Sequence, residues 1–187
     1  MGIFSDFHQI HLRAVGPREL DGAQIILILR DPLARFASAY KWSKYRGVHF
    51  KGGATSKQIW DCFPTLAHLG EHCLDDTRCG RLLRREVQSP QHATYHMGMG
   101  YRYYLQNVDL DQYRDHLHVV EQEQLGDDFN RAISHILGFA VNITLPIVHS
   151  EYPQKDDFIP ARYHGNVKEM LREEYAFYEE IKEKYAQ

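Results

Sequence analysis

Arg30 ends a run of aliphatic residues in "IILILRDPLARFASAY", and Ser38 follows it eight positions later. A guanidinium donates two parallel hydrogen bonds to phosphate oxygens and a hydroxyl adds a third, so an arginine and a serine brought to one side suit a phosphate monoester. Arg35 stands four residues after Asp31, and that spacing predicts an ion pair across one helical turn rather than another phosphate ligand. His68 and His72 offer a different chemistry. They are spaced i, i+4, with Cys73 adjacent and Cys79 close behind, and zinc accepts such donors. His92 and His96 repeat the spacing without an adjacent cysteine or carboxylate.

The phosphate-type pair needs an element that delivers it. "QIILIL" is bounded by Asp-Gly and Arg-Asp-Pro and predicts a strand covered on both faces, as in a parallel sheet. Asp31 is placed to cap a helix from Leu33 to about Tyr45, with Pro32 in the first turn, where its missing N–H costs nothing. Arg30 then sits at the carboxyl end of a strand, where open α/β sheets bind their ligands. Upstream, "FHQIHLRAV" predicts a short strand or strand end. Downstream, Thr55 or Ser56 caps a helix through "KQIWDCFPTLAHL" that Pro64 kinks or splits, and "RLLRREV" adds a helical turn. "ATYHMGMGYRYYLQNV" reads as a helix with an aromatic face, weakened by Gly98 and Gly100. "HVV" predicts a second buried strand, "GDDFNRAISHILGF" a helix with Phe129, Ile133, Ile136 and Leu137 on one face, and "NVKEMLREEYAFYEEIKEKY" a closing helix. Strands alternating with helices make the class α/β, in one domain spanning 1–187.

Composition bounds what such a domain does. Hydrophobic residues make up 43% and charged residues 25%, which is globular, and no apolar run approaches the roughly 18 residues of a membrane span. The chain reads as soluble as given, and its start lacks the basic and apolar regions of a signal peptide. A net charge of −3 argues against a general nucleic-acid binder and leaves room for a local anion site. The "CLDDTRC" segment closes a small loop by pairing Cys73 with Cys79 if the protein meets an oxidising lumen; in a cytosol the thiols stay reduced. Golgi-lumenal and cytoplasmic locations are both compatible with this. Asn142-Ile143-Thr144 is a glycosylation sequon, a pattern that recurs by chance.

Arg30-Asp31-Pro32-Leu33-Ala34-Arg35-Phe36-Ala37-Ser38-Ala39-Tyr40 after a strand resembles the 3′-phosphate-binding motif of sulfotransferases that use 3′-phosphoadenosine 5′-phosphosulfate (PAPS). The resemblance implies that Arg30 and Ser38 hold the 3′-phosphate of the co-substrate. "HVVEQEQLGDDFNRAISHILGF" is similar to the family's later strand, Glu-x-Leu element and helix, with Glu123 and Leu125 at the matching positions. "HMGMGYRYYL" and "LREEYAFYEEI" resemble elements of its carbohydrate and membrane-type branch, the latter as a packing helix. "FHQIHLRAV" lies where the family places its catalytic base; His11 matches a His-Leu segment and His8 is the alternative. A neutral imidazole suits deprotonation of a hydroxyl near pH 7.

The family's other signature is a glycine-rich Lys-Thr-Gly-Thr-Thr-like loop after the first strand, which binds the 5′-phosphosulfate. No such loop precedes Phe4, and Lys51, Gly52, Gly53, Thr55 and Ser56 fall after the Arg-Asp-Pro helix, where they read as an acceptor-side loop. The resemblance therefore implies a partial P-loop-NTPase-like sulfotransferase fold: a short parallel sheet flanked by helices, with the first strand and phosphate loop missing. It implies transfer of a sulfuryl group from PAPS to a hydroxyl, most simply on a carbohydrate, with no metal and no nucleic acid. Losing preorganised donors at the leaving group removes transition-state stabilisation, so this chain is expected to be weakly active or inactive. Two alternatives stand beside that expectation: a non-catalytic nucleotide-binding fragment, and a His/Cys metal-binding protein.

Overall fold

Two of the predicted strands, "QIILIL" and "HVV", form and pair with each other; of the third, "FHQIHLRAV", residues 7–12 lie outside the described residues and Arg13–Val15 form no strand. The structure, a computed structural model, describes residues 13–45, 54–89, 96–145 and 157–186. A one-turn helix, α1 (Pro17–Leu20), precedes β1 (Ile25–Leu29), which lies parallel to β2 (Leu117–Glu121), with Ile25 opposite Leu117 and Leu29 opposite Glu121. Parallel neighbours need a long crossover, which here carries most of the helices. The architecture is α/β, mostly helical, around a short two-stranded parallel sheet. Among the described residues no helix is long and apolar enough to cross a membrane.

Alternation along the strands sends Ile25, Leu27, Leu29, Leu117 and Val119 to one face. There they pack with Tyr101 and Leu105 of α6 (Tyr101–Leu105) and with Tyr178, Ile181 and Tyr185 of α9 (Arg172–Tyr185). The other face carries α7 (Leu125–Leu137) against β2, but Ile28 of β1 is left 48% exposed. The expectation of a strand covered on both faces is thus corrected: β1 has a full cover on one side only. On α7, Ile133 is buried, whereas Phe129, Ile136 and Leu137 are only half-buried.

A second core lies among the helices. Phe36, Ala39 and Tyr40 of α2 (Pro32–Tyr45) meet Ile59 of α3 (Ala54–Cys62), Leu66 and Leu69 of α4 (Leu66–His72), Leu83 of α5 (Arg78–Gln88) and Val167 of α8 (His164–Met170). Pro64 splits the predicted helix into α3 and α4, and Thr65 restarts it by accepting the His68 N–H at 3.1 Å. A disulfide joins Cys62 to Cys79 and so ties α3 to α5. This corrects the expected pairing of Cys73 with Cys79. Cys73 is fully buried in the helical core, and burial pushes its thiol up to about 11. The partner came from 17 residues away because helix packing, not loop length, brings the α3 end against the α5 start.

Two other predicted helices are shortened or broken. Among the described residues of the aromatic stretch only Tyr101–Leu105 is helical, because Gly100 takes an extended conformation at its N-cap. A Cβ on Gly100 would collide with the Glu174 carboxylate, so a larger residue there would displace that side chain. The closing helix breaks at Leu171 into α8 and α9.

Candidate anion-binding site

The parallel pairing puts the carboxyl ends of β1 and β2 on one edge, where Arg30 follows Leu29 and Gln122–Gln124 follows Glu121. Arg30 is half-buried, and among the described residues its guanidinium has no hydrogen-bond or ion-pair partner. Ser38 lies on the second turn of α2, half-buried, with its hydroxyl likewise unengaged among the described residues. Seven residues along a helix is nearly two full turns, so Ser38 shares the face on which Asp31 caps the helix. That cap is made: Asp31 Oδ1 accepts the Ala34 N–H at 2.9 Å.

The backbone that carries Arg30 is held from outside the strand. The Tyr101 hydroxyl accepts the Arg30 N–H at 2.6 Å and donates to the Arg30 carbonyl at 2.9 Å. One phenol thus satisfies both backbone groups of the residue just past the ladder, as a neighbouring strand would. Burial raises the Tyr101 pKa to about 12, which keeps the hydroxyl protonated and able to do both. Tyr175 works one residue further on. Its hydroxyl donates to Asp31 Oδ2 at 2.9 Å and accepts the Leu33 N–H at 3.3 Å.

Arg35 departs from expectation. Instead of pairing with Asp31, which is engaged with Tyr175 and Ala34, it donates to the carbonyls of Met99 at 2.9 Å and Met97 at 3.2 Å. Its charge also lies near Glu174, which is 4% exposed and accepts the Tyr101 N–H at 2.8 Å and the Arg102 N–H at 3.3 Å. Burial pushes the Glu174 pKa up, and Arg35 opposes that shift. Arg35 is therefore a strut between α2 and the 96–100 segment, and it turns away from an anion role.

At the β2 side of the edge, Lys182 of α9 binds Glu121 at 3.0 Å and covers the Tyr178 ring, while Asp128 accepts the Glu121 N–H at 3.0 Å. Tyr178 in turn stacks on Tyr101, with centroids 6.3 Å apart. Glu123 is exposed on the short turn after β2, and Leu125 opens α7 half-buried. Helix α9, which the sequence marks as packing, thus supplies Glu174, Tyr175, Tyr178 and Lys182 to the frame of the site. The only local signal for them was the tyrosine-rich, i, i+3 to i, i+4 spacing on that helix. His8 and His11 lie outside the described residues, as do Lys51, Gly52 and Gly53 of the glycine loop and His92.

The cysteines marked for a metal have other roles. Cys79 is committed to the disulfide, Cys73 is buried with its thiol directed to the Gly70 carbonyl, and His72 Nδ1 pairs with Asp75 at 2.8 Å. Among the described residues no group of three His, Cys, Asp or Glu side chains is placed to hold a metal ion. No protein-family model, no curated protein and no solved structure matches this chain.

Proposed function

We propose that this chain carries the 3′-phosphate half of a PAPS site in a partial P-loop-like sulfotransferase fold. The observation that supports the reading is an unengaged arginine on a strand-to-helix turn whose backbone is clamped by two tyrosines, followed by an unengaged serine on the second turn of the helix. Arg30 would supply a forked, permanently charged donor and Ser38 a hydroxyl donor, matching the oxygens of a phosphate monoester. The nucleotide's 5′-phosphosulfate supplies the sulfuryl group. His11, or His8 in its place, would take the proton of the acceptor hydroxyl, which is assigned to a carbohydrate by the family resemblance alone. The Cys62–Cys79 disulfide favours an oxidising lumen over the cytoplasm as the place where this happens.

The test is titration calorimetry with 3′-phosphoadenosine 5′-phosphate on the native chain and on Arg30→Ala. Binding by the native chain and at least about tenfold weaker binding by the variant is expected, since a charged hydrogen bond is worth about 1.5–3 kcal/mol. Equal heats for the two would remove Arg30 from the site. A binding role without transfer is the second reading, and it requires only Arg30 and Ser38. Nucleotide binding with no sulfuryl transfer to any hydroxyl acceptor would select it.

A further inference from the structure

Asn142-Ile143-Thr144 plays no part in the proposed anion site, yet the fold presents it in a specific way. Gly138, at a left-handed φ of 72°, ends α7 and turns the chain back along it. The Val141 N–H then donates to Ser134 Oγ at 2.8 Å. Asn130 takes both backbone groups of Ile143, accepting its N–H at 2.7 Å and donating to its carbonyl at 3.1 Å. The returning segment is thus fastened by the backbones of residues 141 and 143. Asn142 and Thr144 are exposed, and among the described residues neither side chain makes a hydrogen bond. Beside them Phe139 is 50% and Ile143 42% exposed, so two apolar side chains face water at this point.

The second observation lies elsewhere in the molecule. Disulfides persist in oxidising compartments, and Cys62 and Cys79 are joined by one. An exposed Asn-x-Thr with no proline in the middle, on a protein folded in such a lumen, is an acceptor for N-linked sugar. We propose that Asn142 carries an N-linked glycan. In the transfer, Nδ2 of Asn142 bonds to the anomeric carbon of an oligosaccharide carried on a polyprenyl diphosphate. The diphosphate leaves with the electron pair of the broken C–O bond, and Nδ2 gives up a proton to a base of the transferring enzyme. The sugar then shields Phe139 and Ile143 with polar surface. Neither observation involves Arg30 or Ser38, so the glycan stands or falls independently of the nucleotide site.

The test uses the full chain purified from the cells that make it, by intact mass before and after peptide N-glycosidase, with thiols alkylated without reductant. Loss of a heterogeneous saccharide mass and conversion of Asn142 to aspartate are expected, with Cys73 alone alkylated after denaturation. Expressed in the same cells, Asn142→Gln and Thr144→Ala lose the added mass while Thr144→Ser keeps it. Unmodified Asn142 in disulfide-intact protein overturns the proposal. So does alkylation of all three cysteines without reductant, or a saccharide mass that persists in Asn142→Gln.

Discussion

The two cores of this protein are closed by different means. Among the helices, Phe36, Ile59, Phe63, Leu66, Leu69 and Leu83 are essentially free of water and touch one another as hydrocarbon, with a disulfide at the margin. Against the sheet, Tyr101, Tyr178 and Tyr185 seal the core while their hydroxyl ends or rings meet polar partners: the Arg30 backbone, Lys182 and Asp111. An apolar core tolerates only shape changes, whereas a tyrosine-lined one also aims backbone groups. Position matters accordingly. The helical core holds the protein together, and the tyrosine-lined core holds the Arg30 backbone in a fixed direction. Helix α2 joins them, with Phe36 and Tyr40 in the first, where Tyr175 also packs and holds Asp31, while Arg30 just before the helix is clamped by Tyr101 of the second.

That contrast breaks most visibly in the helical core. Phe63→Ala removes a side chain that is 1% exposed, and a loss of about 3–5 kcal/mol in unfolding free energy is expected by chemical denaturation. Nucleotide preference among the molecules that remain folded should be unchanged. Tyr101→Phe is the smaller and sharper change. It leaves the Arg30 N–H and carbonyl without their partner, costing about 1–3 kcal/mol of stability, and it frees the backbone that aims Arg30. Affinity for 3′-phosphoadenosine 5′-phosphate should therefore fall more than affinity for adenosine 5′-phosphate, which lacks the 3′-phosphate. Tyr185→Phe removes a hydroxyl from the same core, at Asp111, and should leave that preference intact. Equal losses for both nucleotides in Tyr101→Phe would reduce the clamp to packing.

The smallest effect is a pH dependence at the opposite end of the strands. His118 on β2 bonds Gln24 at 2.9 Å and lies beside His135 of α7, with His116 just before the strand. Burial first, then the two neighbouring histidines, lower its pKa below 6.5. The unfolded chain binds the proton more readily, so the stability contributed by neutral His118 is present above pH 6.5 and lost as pH falls through the lowered folded value. Urea unfolding of the native chain and of His118→Asn across this range should show a flatter pH profile in the variant. Identical slopes would place the histidine in ordinary solvent.

What was legible in the sequence follows the same division. β1, β2, the Asp31 cap, α2, α5 and α7 were readable because each is decided by a local pattern of apolar residues, a capping side chain or a proline. Arg30 just past the end of β1 and Ser38 on α2 could be placed from the sequence because one short stretch carries both. The frame around them could not. Tyr101 lies 71 residues from Arg30 and Tyr175 lies 144 from Asp31, so no window of sequence contains both partners. Arg35 differs from its sequence expectation for the same reason: a pairing with Asp31 is local, and the carbonyls of Met97 and Met99 that it serves instead are distant. Cys62 was overlooked as a disulfide partner because the shorter Cys73–Cys79 loop looked sufficient, while Cys73 was needed to fill the helical core. The exposure of Ile28 was invisible in a strand whose composition suited full burial.

The central claim is that Arg30 and Ser38 grip a phosphate at the 3′ position. The measurement that tests it most directly is the ratio of affinities for 3′-phosphoadenosine 5′-phosphate and adenosine 5′-phosphate, taken on the native chain, Arg30→Ala and Ser38→Ala. A native ratio of at least about tenfold that collapses toward unity in Arg30→Ala and shrinks in Ser38→Ala is predicted, at about 1.4 kcal/mol for each factor of ten. A native ratio near unity, or one that survives both substitutions, would contradict the account.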